Sequence, residues 1–296
     1  MPLEPLFWYG LILKMTMTAA IVVAASVAVE RSGPFIGALI ATLPTAAGAA
    51  YIIMAVEHPP AFIAASAIGT AAMNAGVAIF ALAYAMLAQR HGVLISIAMA
   101  VLVWFCAAAV LQLMEWTPAT ALVLNALVLG LTISASARFR RDVLSRKDIR
   151  RTRYELPLRA TAAALVVAAV TTASHRIGSF ASGVFAVFPI VMGTFVVILH
   201  SHVGGKAAGA VLAHAQPPLI GLFLGFLGVH YLAEPLGVWW AYAAASPSPW
   251  HGAVSFGWRA GRGRVCCEPP GNATYLSIES LRSRMSLLHF CVCVPI

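Results

Sequence analysis

Pro44 and Pro189 each stand inside a long apolar run, 145 positions apart. Proline removes a backbone donor and clashes with the carbonyl four residues earlier, so a helix kinks or breaks there. Gly48 and Gly193 follow the two prolines at the same distance. Thr42 and Thr45 flank the first, and Thr194 lies one turn past the second. Carbonyls freed at such breaks, with hydroxyls beside them, can hold ions or polar groups. Breaks at matching places in two halves of a chain point to a substrate site at the bilayer midplane. Prolines and small residues also serve helix packing alone, and the residues by themselves leave both accounts open.

Asn74 and Asn125 fall mid-way along two further apolar runs. Allowing a five-residue gap, Asn74 aligns with His214 in the second half, each followed by alanine. An amide or imidazole in hydrocarbon must find a partner, and such interhelical bonds contribute about 0.6–2 kcal/mol. His214 can also titrate and relay a proton; glue between helices is the plainer expectation. Lys14 and Arg159 are matched cations near the ends of their runs. They either snorkel to the headgroups or offer a counter-charge to an anionic substrate. Gly33-x-Phe35 and Gly178-x-Phe180 open the next runs. A turn followed by an interfacial aromatic accounts for both pairs, and a helix N-terminus facing an anion is the alternative.

Glu30, Glu57, Glu115 and Glu234 all sit at the ends of runs, and no run holds an internal Asp or Glu. That weakens ion-coupled antiport and leaves carbonyl sites or a facilitator. Cys106 is alone in an apolar stretch, and Cys266, Cys267, Cys291 and Cys293 fit no zinc spacing. The chain has no Gly-rich phosphate loop, no nucleophile-plus-base arrangement and no HExxH. No enzyme, cofactor or metal is therefore expected.

The elements that must position these residues are membrane helices. The 296 residues are 61% hydrophobic and 10% charged, against about 25% charged in a soluble domain. Such a chain cannot cover its own surface in water, and its solvent is lipid. A span needs about 20 apolar residues. The runs 7–29, 34–56, 61–88, 93–114, 118–136, 157–174, 179–200 and 207–232 qualify, with a weaker one at 235–250. They are continuous rather than alternating, which predicts helices and not a barrel. The N-terminus lacks a basic n-region, so no cleavable signal peptide is expected.

Residues 9–54 and 154–199 align without a gap and are identical at 15 of 46 positions. Five spans separate the starts of the two copies. An odd number makes the second copy enter from the opposite side, which gives inverted repeats. The short turn Glu115–Pro118 between the fourth and fifth spans is where that count is most exposed to error.

Eight of the 19 Lys and Arg residues lie in Arg138–Arg153. With the N-terminus outside, Arg31, Arg90, that cluster and Lys206 all fall in the cytoplasm, and Arg176 falls outside. The bias predicts a periplasmic N-terminus. The same cluster is also suited to anionic lipid. The net charge of +9 thus marks topology rather than nucleic acid.

The spacing predicts more spans near 235–285, yet the text changes from about Ser246. Trp258-Arg259-Ala260-Gly261-Arg262-Gly263-Arg264 and the Ser/Arg-rich run Ser277–Ser286 carry no helical period. A cytoplasmic tail or a shifted reading frame accounts for this, and the frame shift is favoured because the break comes where symmetry demands helices.

Gly33–Tyr51 (GPFIGALIATLPTAAGAAY) and Phe185–Gly205 (FAVFPIVMGTFVVILHSHVGG) resemble stretches of bacterial inner-membrane proteins of about ten spans with duplicated halves. The likeness covers residues 5–245 and brings no activity with it.

The expectation is an all-α polytopic transmembrane bundle of 8–10 spans, an inverted five-plus-five repeat with an incomplete second half. Its parts are a first repeat at 1–137, a basic loop at 138–156, a second repeat at 157–245 and an atypical tail at 246–296. The expected function is a multi-pass secondary transporter or permease of the bacterial inner membrane, moving a small solute by alternating access. The alternative is a membrane scaffold or assembly protein with no solute path. The partners expected are the bilayer and a small solute, with anionic lipid at Arg138–Arg153.

Overall fold

The computed structural model describes residues 9, 12–20, 23–24, 45–141 and 155–245. These are helical, with no strand among the described residues. After a helical stretch at 12–20 come α1 (Thr45–Glu57), α2 (Pro60–Leu87), α3 (Val93–Gln112) and α4 (Pro118–Ser136), then a short 3-10 turn at Phe139–Arg141. The second half holds α5 (Glu155–Ala186), α6 (Ile190–Val203), α7 (Gly205–Ala215), α8 (Pro218–Leu236) and α9 (Val238–Ala245).

Among the described residues, five helical runs are long and apolar enough to cross a membrane: α2, α3, α4, Ala160–Val203 and α8. The fourth run has 44 residues. At 1.5 Å per residue it would reach about 66 Å, twice the roughly 30 Å hydrocarbon core. It is interrupted at Gly178, where φ is 82° and ψ 173°. A side chain is strongly disfavoured there, which gives a physical reason for a glycine at this turn.

α2 is the axis of the bundle. In its membrane window 72% of residues are buried, against 22% in α3 and 28% in α4. α3 turns one stripe inward (Ala100, Trp104, Ala108, Leu111), and so does α4 (Ala121, Asn125, Leu129, Thr132). Their outer faces expose Leu94, Leu102, Leu127 and Leu131, as lipid-facing helices do. The turn between α3 and α4 is a real chain reversal. A capping box joins Thr117 and Thr120, and Trp116 Nε1 donates to the Leu111 carbonyl at 2.7 Å.

The limb 179–203 runs alongside α2 in the same direction. His58 meets Ser174 at one end (2.8 Å), Thr70 meets the Gly183 carbonyl (2.6 Å), and Tyr84 meets the Val196 carbonyl (3.2 Å). At the far end Gly205 lies against the Ala88 carbonyl. Gly69 and Gly183 permit this approach, since a β-carbon on either would overlap the other helix's backbone. α7 and α8 run the other way along α2. Gly209 lies beside Gln89, Leu219 meets Asn74 at 3.2 Å, and His230 Nδ1 donates to the Ala64 carbonyl at 2.9 Å.

Two expected spans are not single straight helices. The run 179–200 breaks at Val187–Pro189, where Pro189 takes φ −78° and ψ 46° and α6 starts afresh at Ile190. The run 207–232 is interrupted at Gln216 and Pro217. Both of these keep helical dihedrals, so this interruption is a lost hydrogen-bond ladder. Pro217 and Pro218 lack the amides that the carbonyls of Ala213 and His214 would accept.

α6 begins directly after Pro189, and the described part of α1 runs from Thr45 to Glu57. Pro44 and Thr42 themselves lie outside the described residues, as do Gly33, residues 142–154 of the basic loop and the tail 246–296.

Candidate functional site

Three fully buried polar residues line up on α2. One seam of it carries Ser66, Thr70 and Asn74, all 0% exposed. Their spacing of four puts them on one helical face. α1, the 179–186 segment, α4 and α8 close over that face.

Asn74 uses both amide hydrogens. Nδ2 donates to Asn125 Oδ1 on α4 at 2.8 Å and to the Leu219 carbonyl on α8 at 3.2 Å. Asn125 Nδ2 donates in turn to the carbonyls of Ala71 and Ala121 at 2.8 and 2.9 Å. Two carbonyls facing Nδ2 fix the orientation of the Asn125 amide, because a reversed amide would set oxygen against oxygen. Asn74 Oδ1 is buried and has no hydrogen-bond partner.

Gln216 sits one helical turn before Leu219, at the α7–α8 interruption. It is 0% exposed, and neither its Oε1 nor its Nε2 has a partner. Ser66 Oγ is likewise buried and unpartnered. An unpaired buried polar group costs about 1–3 kcal/mol, so these atoms stand out at the centre of the bundle.

A second chain of hydroxyls crosses the same region. Thr70 Oγ1 spends its proton on the Gly183 carbonyl, so Tyr51 is the donor in the 2.7 Å Tyr51–Thr70 contact. Tyr242 OH then donates to the Tyr51 carbonyl at 2.9 Å. The seam carries no formal charge. Its neutral donors and acceptors suit a polar, hydrogen-bonding solute better than a bare ion.

The residues singled out from sequence distribute unevenly around this seam. Asn74 is at its centre. Pro189 is buried and breaks its helix, and Gly193 is buried where a β-carbon would meet the Ile97 side chain at 3.5 Å. Thr194 turns its hydroxyl back to the Val191 carbonyl at 3.0 Å. Gly48 is on an exposed face of α1 with open space beside it, and Thr45 is the first described residue of that helix. His214 is not brought to Asn74. It is exposed, and its Nδ1 donates to the Ala210 carbonyl at 2.8 Å, within its own helix. Lys14 neither hangs free nor faces the seam; its ammonium pairs with Glu57 Oε1 at 2.5 Å. In the basic loop Arg140 donates to the Ile133 carbonyl, and burial lowers its pKa.

Sequence reading missed Gln216, Ser66 and the Tyr51–Thr70 pair. Gln216 carries a usable signal, since a glutamine before two prolines in an apolar run is a polar group at a helix break. Comparison with family models, with curated proteins and with solved structures returned no match, so the apolar helices alone place this chain, as one compatible with an integral membrane protein.

Proposed function

We propose that this chain is a secondary transporter or permease for a small polar solute, working by rocking two inverted halves about the α2 seam. The observation that carries the reading is the crossing of α2 with α7–α8. Shifting α2 by 145 residues gives 205–232, the stretch covered by α7 and α8. These counterparts run antiparallel and touch at Asn74 and Leu219, themselves 145 apart. An antiparallel crossing of stretches one repeat interval apart is what an inverted repeat would produce and a parallel repeat would not.

α1 and α6 support the same reading. The described stretches of α1 and α6 lie 145 positions apart, and a proline precedes each in the sequence. α1 runs against α2, with Tyr51 reaching back to Thr70, whereas α6 runs with it. Broken helices and unpaired amides meet near the crossing, where such folds bind their substrates.

Charge placement supports a periplasmic N-terminus in a bacterial inner membrane. Ala85, Phe139 and Ala213 pack together at the end of α2 that also meets Gly205. Arg90, Arg138 and Lys206 are therefore at one end, the cytoplasmic one, and His58 and His175 are at the other.

The test is the accessibility of Gln216→Cys in a chain whose native cysteines are replaced by serine. A transporter passes through states that open the seam, so a membrane-impermeant thiol reagent labels this buried position in intact vesicles. No labelling under any condition tried, with a folded protein, rejects transport and leaves the scaffold reading.

A further inference from the structure

At the end of the bundle opposite Lys206, three side chains from the two halves converge. Glu57 closes α1, His58 is in the α1–α2 turn, and His175 lies on α5 just before Gly178. One ligating atom from each lies within 4.8 Å of the others. The His58 and His175 rings are 4.3 Å apart, and Phe62 stacks on His58 at 3.8 Å and 8°.

The hydrogen bonds around His58 settle its tautomer. Ser174 Oγ donates its one proton to the Thr171 carbonyl at 2.7 Å. It can then only accept from His58, at 2.8 Å, so His58 Nε2 carries the hydrogen. A neutral ring protonated at Nε2 presents a bare lone pair at Nδ1. A metal-binding histidine is held the same way, with its second nitrogen tied to a fixed acceptor. Glu57 is also half free. Oε1 is on Lys14, while Oε2 is buried with no partner.

We propose that Glu57, His58 and His175 form a binding site for a zinc-class divalent cation, clamping the α1–α2 turn to α5. Two imidazoles and one carboxylate select Zn(II), Co(II), Ni(II) or Cu(II) over Ca(II) or Mg(II), which prefer all-oxygen sets. Bonds of about 2.0–2.2 Å bring ligand atoms on one ion to about 3.5 Å from each other. The exposed His175 ring can close the remaining gap by rotating. Three protein ligands leave a coordination position for water or for a further group. The site ties the first half to the second, and it stands whether or not the seam transports anything.

The experiment is a titration of the purified full chain in detergent with Co(II). The cysteines of the 246–296 tail could bind metal too, and the spectrum separates the sites. The proposed site gives visible d–d bands without thiolate charge transfer, saturating at one ion per chain. Zn(II) displaces the Co(II). His175→Gln, at an exposed position, abolishes the bands while tryptophan emission and circular dichroism stay unchanged. Ser174→Ala weakens binding by about 10–100-fold, as loss of an outer partner does. Thiolate bands alone, bands that survive in His58→Ala with His175→Gln, or no bands in a folded wild-type chain each overturn the proposal.

Discussion

Asn74 donates its side-chain amide to the backbone carbonyl of Leu219 at 3.2 Å, 145 positions further along the chain. Under the inverted reading the twofold axis passes between these two residues. The same amide reaches Asn125, so the axis is also where α2, α4 and α8 are joined.

Asn125→Ala removes the acceptor of Asn74 and two donors to carbonyls of Ala71 and Ala121. We expect a loss of about 1–2 kcal/mol in detergent unfolding, the range of interhelical hydrogen bonds in membranes. Asn125→Asp is expected to fall further, because a carboxylate offers the two facing carbonyls no donor. An unchanged midpoint for both variants removes the amide pair from the account of the core.

Gln216→Leu has the opposite sign. It replaces two buried, unpartnered polar atoms by an apolar group of similar size. Thermal stability is expected to rise, by up to about 1–3 kcal/mol, while solute-dependent behaviour is lost, the usual trade between stability and function. A destabilised Gln216→Leu means that the amide already has a partner in the membrane.

Gly178→Ala introduces a side chain at φ 82° and ψ 173°, at a cost of about 1–3 kcal/mol. The turn there separates two crossings, so the variant is expected to insert poorly, read as protease susceptibility of the membrane-embedded chain. Gly48→Ala is the control. Open space surrounds that position, and its stability is expected to stay equal or rise slightly.

Hydropathy and proline placement made much of this architecture legible. The start of α6 after Pro189 follows from proline stereochemistry, and Gly178 takes the turn dihedrals that its recurrence with Gly33 suggested. The site was harder to read. Asn74 invited a polar side chain as its second-half partner, and a gapped alignment supplied His214. The actual second-half partner is a backbone carbonyl, which every residue carries and no sequence distinguishes. The ungapped interval leads directly to it. Gln216 was hidden because average hydropathy runs smoothly through 207–232, and the paired prolines change hydrogen bonding without changing the helical path. The Glu57–His58–His175 cluster joins residues 117 positions apart across two turns, a proximity that only the packing of α5 against α2 creates.

Ala61 and Lys206 give the most direct test of the central claim. Both are exposed, both lie in the first turn of their helices, and they are 145 residues apart. In a cysteine-free chain, Ala61→Cys and Lys206→Cys are labelled separately with an impermeant thiol reagent, in intact cells and in inverted vesicles. Inverted halves place them on opposite faces, with Ala61→Cys labelled from the periplasm and Lys206→Cys from the cytoplasm. Labelling of both from the same side contradicts the inversion and the transport reading built on it.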